Sequence, residues 1–106
     1  ALPFLRKLGL RYPSGIHHTI FTCATPIDDE QIQLIQWVYR NDTEEDCPAA
    51  LLNNWDTRVV LEDKHILEFV NPDAPVDVAR RDEQSMLSDR PGMIMRRRLL
   101  ELLRDH

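Results

Sequence analysis

Cysteine is scarce in this chain, with only Cys23 and Cys47 among 106 residues. Two thiols so far apart make neither a metal knuckle nor a CxxC redox pair. They read as reduced, structural side chains, the usage expected of a cytosolic protein. Long apolar runs are also missing. No stretch approaches the ~18 residues that a membrane span needs, and no secretory-leader pattern opens the sequence. A basic surplus is absent too: 13 Lys and Arg stand against 18 Asp and Glu, for a net charge of −5. That balance argues against nucleic acid as a partner, because phosphate binding needs an excess of cations on one face. The one basic run, Arg96 to Arg98, falls in a helical pattern. There such a run more often complements the helix dipole and faces solvent. Internal repeats and low-complexity tracts are lacking as well.

What is present is an ordinary globular composition, 42% hydrophobic and 29% charged, in a length that suits one domain with a real core and not two. The first residues, ALPFLRKLGLRY, run straight into apolar and basic sequence without an initiator Met, a cap or a turn signal. This points to a piece of a longer protein, and such a piece is expected to leave apolar surface uncovered.

Taken in order, residues 4–12 read as a strand or a connection entering one, and Pro13-Ser14-Gly15 as a turn. Residues 16–25 are rich in Ile, Thr, His and Phe and read as a strand. Alternation sets Ile16, His18, Ile20 and Thr22 on one face and His17, Thr19, Phe21 and Cys23 on the other. After the polar break around Asp28-Asp29, residues 31–40 alternate again, so the two runs make a hairpin. A long helix is expected over about 47–71, with Asp46 as its N-cap, Pro48 in its first turn and Asn71-Pro72 as its stop. Asp73 to Asp89 reads as a surface loop. Ser88 and Asp89 offer caps for a last helix over about 90–104, whose apolar face carries Ile94, Met95, Leu99, Leu102 and Leu103. The fold class is therefore α+β: antiparallel strands, then a long helix and a C-terminal helix.

The long helix carries the functional question. At ~100° per residue, Leu52, Trp55, Val59, Ile66 and Val70 share one arc. Glu62 and Asp63 fall inside it, and Asp56 lies near its edge. Burying a carboxylate costs several kcal/mol unless it is paired, protonated or bound to a metal. The ordinary explanations are an exposed position or an ion pair with an arginine of the last helix, such as Arg96 or Arg98. The functional one makes Asp63 the carboxylate of a metal site. Two imidazoles and one carboxylate leave positions open on a non-haem Fe(II) for O2 and substrate. His17 and His18 cannot both serve, because neighbours on a strand point to opposite faces. A hydrogen-bonded strand histidine is the commoner role for either. His65 lies off the apolar arc and His106 ends the chain, so no convincing pair of histidine ligands is present.

Several stretches share an order and spacing with a known family: ATPIDD (Ala24 to Asp29), RNDTEED (Arg40 to Asp46), WDTRVVLEDKHILE (Trp55 to Glu68), and SDRPG with its Arg- and Leu-rich tail (Ser88 to Leu103). Together, from about Tyr12 onward, they resemble the C-terminal part of the catalytic domain in Rieske-type non-haem iron aromatic-ring-hydroxylating oxygenases. The nearest branch is that of the vanillate and dicamba demethylases, in the α subunit of the oxygenase component. The resemblance implies a helix-grip arrangement in which Asp63 is the iron-ligating carboxylate and Glu62 supports it from behind. Inward-facing strand residues, among them His17, His18 or Thr22, would line the substrate pocket. The family's DxxHxxxxH segment and its Rieske CxH…CxxH motif have no counterpart in these residues. By resemblance, then, the two histidine ligands of the mononuclear Fe(II) and the [2Fe–2S] cluster belong to the remainder of the polypeptide. A ferredoxin or reductase would supply electrons to a homotrimer in the cytoplasm, and the substrate would be aromatic or similarly apolar. The alternative is a stand-alone helix-grip module that binds an apolar ligand or a protein without redox activity. A third possibility is a plain interaction domain with Glu62 and Asp63 paired to arginines.

Overall fold

The computed structural model describes residues 4–80 and 83–105. Residues 81 and 82 of the expected loop, and His106, lie outside the described residues. The chain divides into two compact units, one from Phe4 to Val70 and one from Asn71 onward.

In the first unit, three strands form an antiparallel meander of order β1-β2-β3: β1 (Leu5–Arg11), β2 (His17–Pro26) and β3 (Ile32–Arg40). Both turns form where the sequence places them. Gly15, at φ +87°, closes the first, a conformation that a side chain would disfavour, and its N–H donates to Tyr12 O at 3.0 Å. In the second, Asp28 Oδ1 accepts the N–H groups of Glu30 and Gln31 at 2.9 and 2.8 Å. This is an Asx device that substitutes for backbone partners. The register pairs Leu8 with Ile20 and Val38, and Lys7 with Phe21 and Trp37. One face thus carries Leu8, Leu10, His18, Ile20, Thr22, Gln36 and Val38. The opposite face carries an aromatic cluster, with Phe21 stacked on Trp37 at 5.5 Å and edge-on to Tyr39 at 5.8 Å. Lys7 Nζ sits 5.9 Å from the Phe21 ring centre, a cation–π contact.

Helix α1 (Ala49–Leu67) follows. Asp46 is not its N-cap: Pro48 holds that position, and the Asp46 carboxylate accepts from Thr43 N and Oγ1 at 3.1 and 2.7 Å. The free N–H of Ala49 goes instead to Glu44 Oε2 at 2.9 Å. Glu44 is fixed in turn by Arg40, whose guanidinium knits the whole connection. Its Nη2 meets Glu44 Oε1 at 2.9 Å, Nη1 donates to Cys47 O at 2.5 Å, and Nε faces Asp42 Oδ1 at 3.2 Å. The last contact is an ion pair without hydrogen-bond geometry, since Asp42 Oδ1 is buried and accepts no hydrogen bond. Helix α1 ends four residues earlier than the sequence suggests. The N–H groups of Phe69 and Val70 reach back three residues to Ile66 O and Leu67 O, which tightens the chain into a turn ahead of Pro72.

The second unit is organised by α2 (Arg90–Arg104). Asp89 stands at its N-cap position as expected, but its carboxylate accepts from Met86 N at 2.7 Å instead of from the helix. The inward side of α2 is Met93, Arg96, Leu99 and Leu100. Of the expected apolar face only Leu99 belongs to it, while Ile94, Met95, Leu102 and Leu103 are exposed. Arg96 departs from the solvated reading of the arginine run. It donates to Val76 O at 3.1 Å and to Pro75 O, and it pairs with Glu83.

No described residue is fully buried, and large apolar side chains such as Trp55, Ile66 and Phe69 are more than half exposed. Polar tethers therefore carry an unusual share of this architecture. Arg40→Ala is expected to lower stability by about 3 kcal/mol in urea unfolding, because it strands the Asp42 carboxylate, 8% exposed, beside no cation. The hydrogen bonds from Thr43, aided by the nearby charge of Arg40, hold the Asp46 carboxyl below the usual aspartate range. A carboxyl depressed in the folded state favours folding above its unfolded-state pKa, and that contribution disappears as pH falls through the folded value. A carbon-detected NMR titration should therefore find Asp46 below the usual aspartate range, and Thr43→Ala should return it toward that range.

Candidate functional site

Helix α1 meets the sheet through its first half. Leu52, Asp56, Val59 and Val60 are half-buried, whereas every residue from Leu61 to Val70 is exposed. The inward arc is thus centred nearer Asp56 than the apolar spacing indicated. Trp55 and Ile66, placed on the buried arc by periodicity, are 60% and 66% exposed. Val70 lies beyond the helix.

Asp56 is the carboxylate that reaches the sheet. Gln36 donates through Nε2 to Asp56 Oδ2 at 2.7 Å, and its Oε1 accepts from Thr22 Oγ1 at 2.9 Å. The side-chain link follows from the register. Thr22 and Gln36 are direct cross-strand partners, in a non-hydrogen-bonded pair where side chains approach most closely. A relay of three side chains therefore ties β2 to β3 and β3 to α1. The sequence held a signal for it, since Asp56 lies in phase with Leu52 and Val59, and Gln36 and Thr22 alternate with apolar neighbours. The link between them was not legible.

Asp63 shares that helical phase. It lies seven residues, or about 10 Å, further along the helix, on the same side as Asp56 but past the part that the sheet covers. It is exposed, and within the Phe4–Val70 unit it makes no hydrogen bond or ion pair with a described residue. Glu62 is also exposed and points about 100° away around the helix. The expectation that acids are embedded in a buried face is therefore corrected for both: the phase holds for Asp63, the burial for neither. Their proposed counter-ions are engaged elsewhere. Arg96 binds Glu83 and two carbonyls, and Arg98 pairs with Glu101 at 3.0 Å.

The strand candidates separate as alternation requires. His18 and Thr22 are half-buried on the α1 side of the sheet, and His18 packs edge-on against Tyr12 at 5.1 Å. Its Nε2 is buried and has no hydrogen-bond partner among the described residues. His17 is exposed on the aromatic side, where its backbone N–H donates to Asn41 Oδ1 at 2.6 Å. His17 thus cannot line the same cavity as His18 and Thr22. Of the two inward sets left open by the sequence, the one with Ile20 and Thr22 faces the helix.

Among the described residues, no three His, Cys, Asp or Glu side chains come together as metal ligands. Asp63 offers one anionic oxygen in open surroundings, which suits one position on Fe(II). A single carboxylate does not make an iron site, so the residues at hand do not by themselves fit that ion. No family model, curated protein or solved structure matches the chain.

The relay is directly testable. In a double-mutant cycle, Gln36→Ala and Asp56→Ala should show a coupling of about 1–2 kcal/mol, as expected for a hydrogen bond to a charged group. Asp63→Asn should change the stability of the chain by less than about 0.5 kcal/mol, as befits an exposed, unpaired side chain.

Proposed function

We propose that this chain is the C-terminal segment of the catalytic domain in the terminal component of a Rieske non-haem iron oxygenase, incomplete and inactive alone. The observation that carries the reading is Asp63: a carboxylate on the sheet-facing phase of α1, exposed and unbonded in its own unit. Such a group is free to serve as a ligand, whereas Asp56 is already committed to Gln36. The uncovered apolar surface adds support, since so little of it is buried within the described residues. The choice of family rests on the resemblance of the motif order from Ala24 to Leu103.

In the complete protein the iron would supply O2 activation for hydroxylation, dihydroxylation or demethylation of an aromatic or apolar substrate. This chain's own contribution is more limited. Asp63 would donate one oxygen and, being a single carboxylate, leave other coordination positions open. Glu62, turned to the neighbouring side of the helix, would adjust the surroundings of that ligand. Ile20, Thr22 and His18 would offer a mixed apolar and polar wall toward the helix, with the His18 ring held against Tyr12. The remaining parts of the proposal are the histidine ligands and [2Fe–2S] cluster elsewhere in the polypeptide, a ferredoxin or reductase donor, a homotrimer and a cytoplasmic location. No helix among the described residues is long and apolar enough to cross a membrane.

The runner-up is a stand-alone helix-on-sheet binding module without redox activity. It is favoured by the Phe21, Trp37 and Tyr39 cluster, which offers an aromatic surface on the side of the sheet away from α1. Iron separates the two. In the native polypeptide, Asp63→Ala is expected to abolish mononuclear iron binding and oxygenation while leaving the visible absorbance of the Rieske cluster intact. Glu62→Gln should be milder. Oxygenation retained by Asp63→Ala, or a native polypeptide that carries neither iron nor cluster, overturns the oxygenase reading.

A further inference from the structure

The outer edge of β3 is the feature that the proposed function leaves unused. Its free backbone groups follow from the hydrogen bonds at the sheet's ends. Ala24 N donates to Phe4 O and Tyr12 N to Ile16 O, so even-numbered residues of β2 turn their polar groups toward β1. Odd-numbered ones turn toward β3, and Ile27 N donating to Gln31 O continues that ladder. In β3 the odd residues therefore bond to β2, and the N–H and C=O groups of Ile32, Leu34, Gln36 and Val38 point outward. Within the Phe4–Val70 unit no described residue pairs with that edge.

The two edges of the sheet differ in kind. β1 carries Arg6, Lys7 and Arg11, the charged residues that blunt an edge against further pairing. β3 runs without a charge, proline or glycine from Ile32 to Tyr39. Its sequence is also complementary to itself. Laid antiparallel on a second β3 about a two-fold axis at Gln36, the midpoint of the strand, the outward-pointing residues of one copy oppose those of the other. Leu34 then faces Val38 and Gln36 faces Gln36 on the α1 side, while Ile35 faces Trp37 on the aromatic side. Leu34–Val38 and Ile35–Trp37 set apolar against apolar on each face, Gln33 meets Tyr39 and Ile32 meets Arg40, and no like charges meet. The same operation on β1 about Leu8 sets Leu5 against Arg11 and gathers the cations of both copies.

We propose that β3 is a self-pairing edge, through which two copies of this 106-residue chain associate into a continuous six-stranded antiparallel sheet with about ten new backbone hydrogen bonds. The inference does not rest on the oxygenase reading. The pairing also extends the Phe21–Trp37 aromatic surface across the seam, so that Ile35 and Trp37 of each copy cover one another.

Sedimentation velocity combined with amide exchange by NMR on the unmodified chain tests this. A concentration-dependent dimer is expected. In it the amides of Leu34, Gln36 and Val38 should exchange at least about tenfold more slowly than in the diluted monomer, with Lys7 and Gly9 on the other edge unprotected. Leu34→Pro removes an outward-pointing N–H without touching the ladder to β2, and it should weaken association by more than about tenfold. Gly9→Pro, the equivalent change on β1, should leave association unaltered. A chain that stays monomeric at high micromolar concentration overturns the proposal. So does a dimer in which the β3 amides remain as exchangeable as those of Lys7 and Gly9. Should Leu34→Pro fail to fold by circular dichroism, the exchange pattern of the unmodified chain decides the matter.

Discussion

The guanidinium of Arg40 is the constraint on which the first unit depends. It sits at the last residue of β3 and binds Asp42, Glu44 and the Cys47 carbonyl, so the eight-residue connection to α1 cannot swing freely. Glu44, held by one oxygen, uses the other to take the N–H of Ala49. The start of the helix is thus fixed relative to the end of the strand by side chains of the connection itself. Proline at position 48 could not supply a side-chain cap, and Glu44 fills that role from outside the helix. With the helix start pinned, Asp56 falls two turns later opposite Gln36, and the relay to Thr22 closes. Each step is polar, because the apolar side chains of this unit are too few and too exposed to fix the helix by burial alone.

Where local chemistry decides, the sequence was a sound guide. The three strands, both turns, the order of elements and the α+β class follow from alternation, from Gly15 and Asp28 in the turns, and from the stop that Pro72 imposes. The two capping departures share one cause. Asp46 looked like a helix cap because aspartate often is one, yet Thr43 three residues earlier offered its carboxylate both an N–H and a hydroxyl. Asp89 was drawn back to Met86 N in the same way. Competition between two local partners is not visible in residue type.

The acids of α1 show a second limit. Periodicity gives the direction in which a side chain points but not how far along the helix a neighbouring layer extends. Asp56 and Asp63 have the same direction. One meets Gln36 because a strand lies beneath it, and the other meets nothing in its own unit because the cover ends near Val60. A reading from spacing alone treats them alike, or prefers Asp63 for its central place among apolar residues. The structure reverses that ranking for stability, since Asp56 is bound to Gln36 while Asp63 keeps an uncommitted carboxylate.

This second limit reflects one property, which is that α1 outruns its sheet. A nineteen-residue helix is about 28 Å long, and its half-buried residues, Leu52, Asp56, Val59 and Val60, end at Val60. The second half keeps Ile66 and Leu67 exposed, directly beside Glu62 and Asp63. An amphipathic helix keeps apolar residues on an uncovered stretch at a cost in solubility, unless a further layer receives them. An added layer over that stretch would enclose Asp63 together with its apolar neighbours. There a carboxylate is costly without a cation and well placed with one. Under the proposed function, a metal held by additional polypeptide would resolve both difficulties at once. A plain dimer through the β3 edge resolves only the unpaired strand, so the exposed half of α1 marks the place where the two ideas make separate demands.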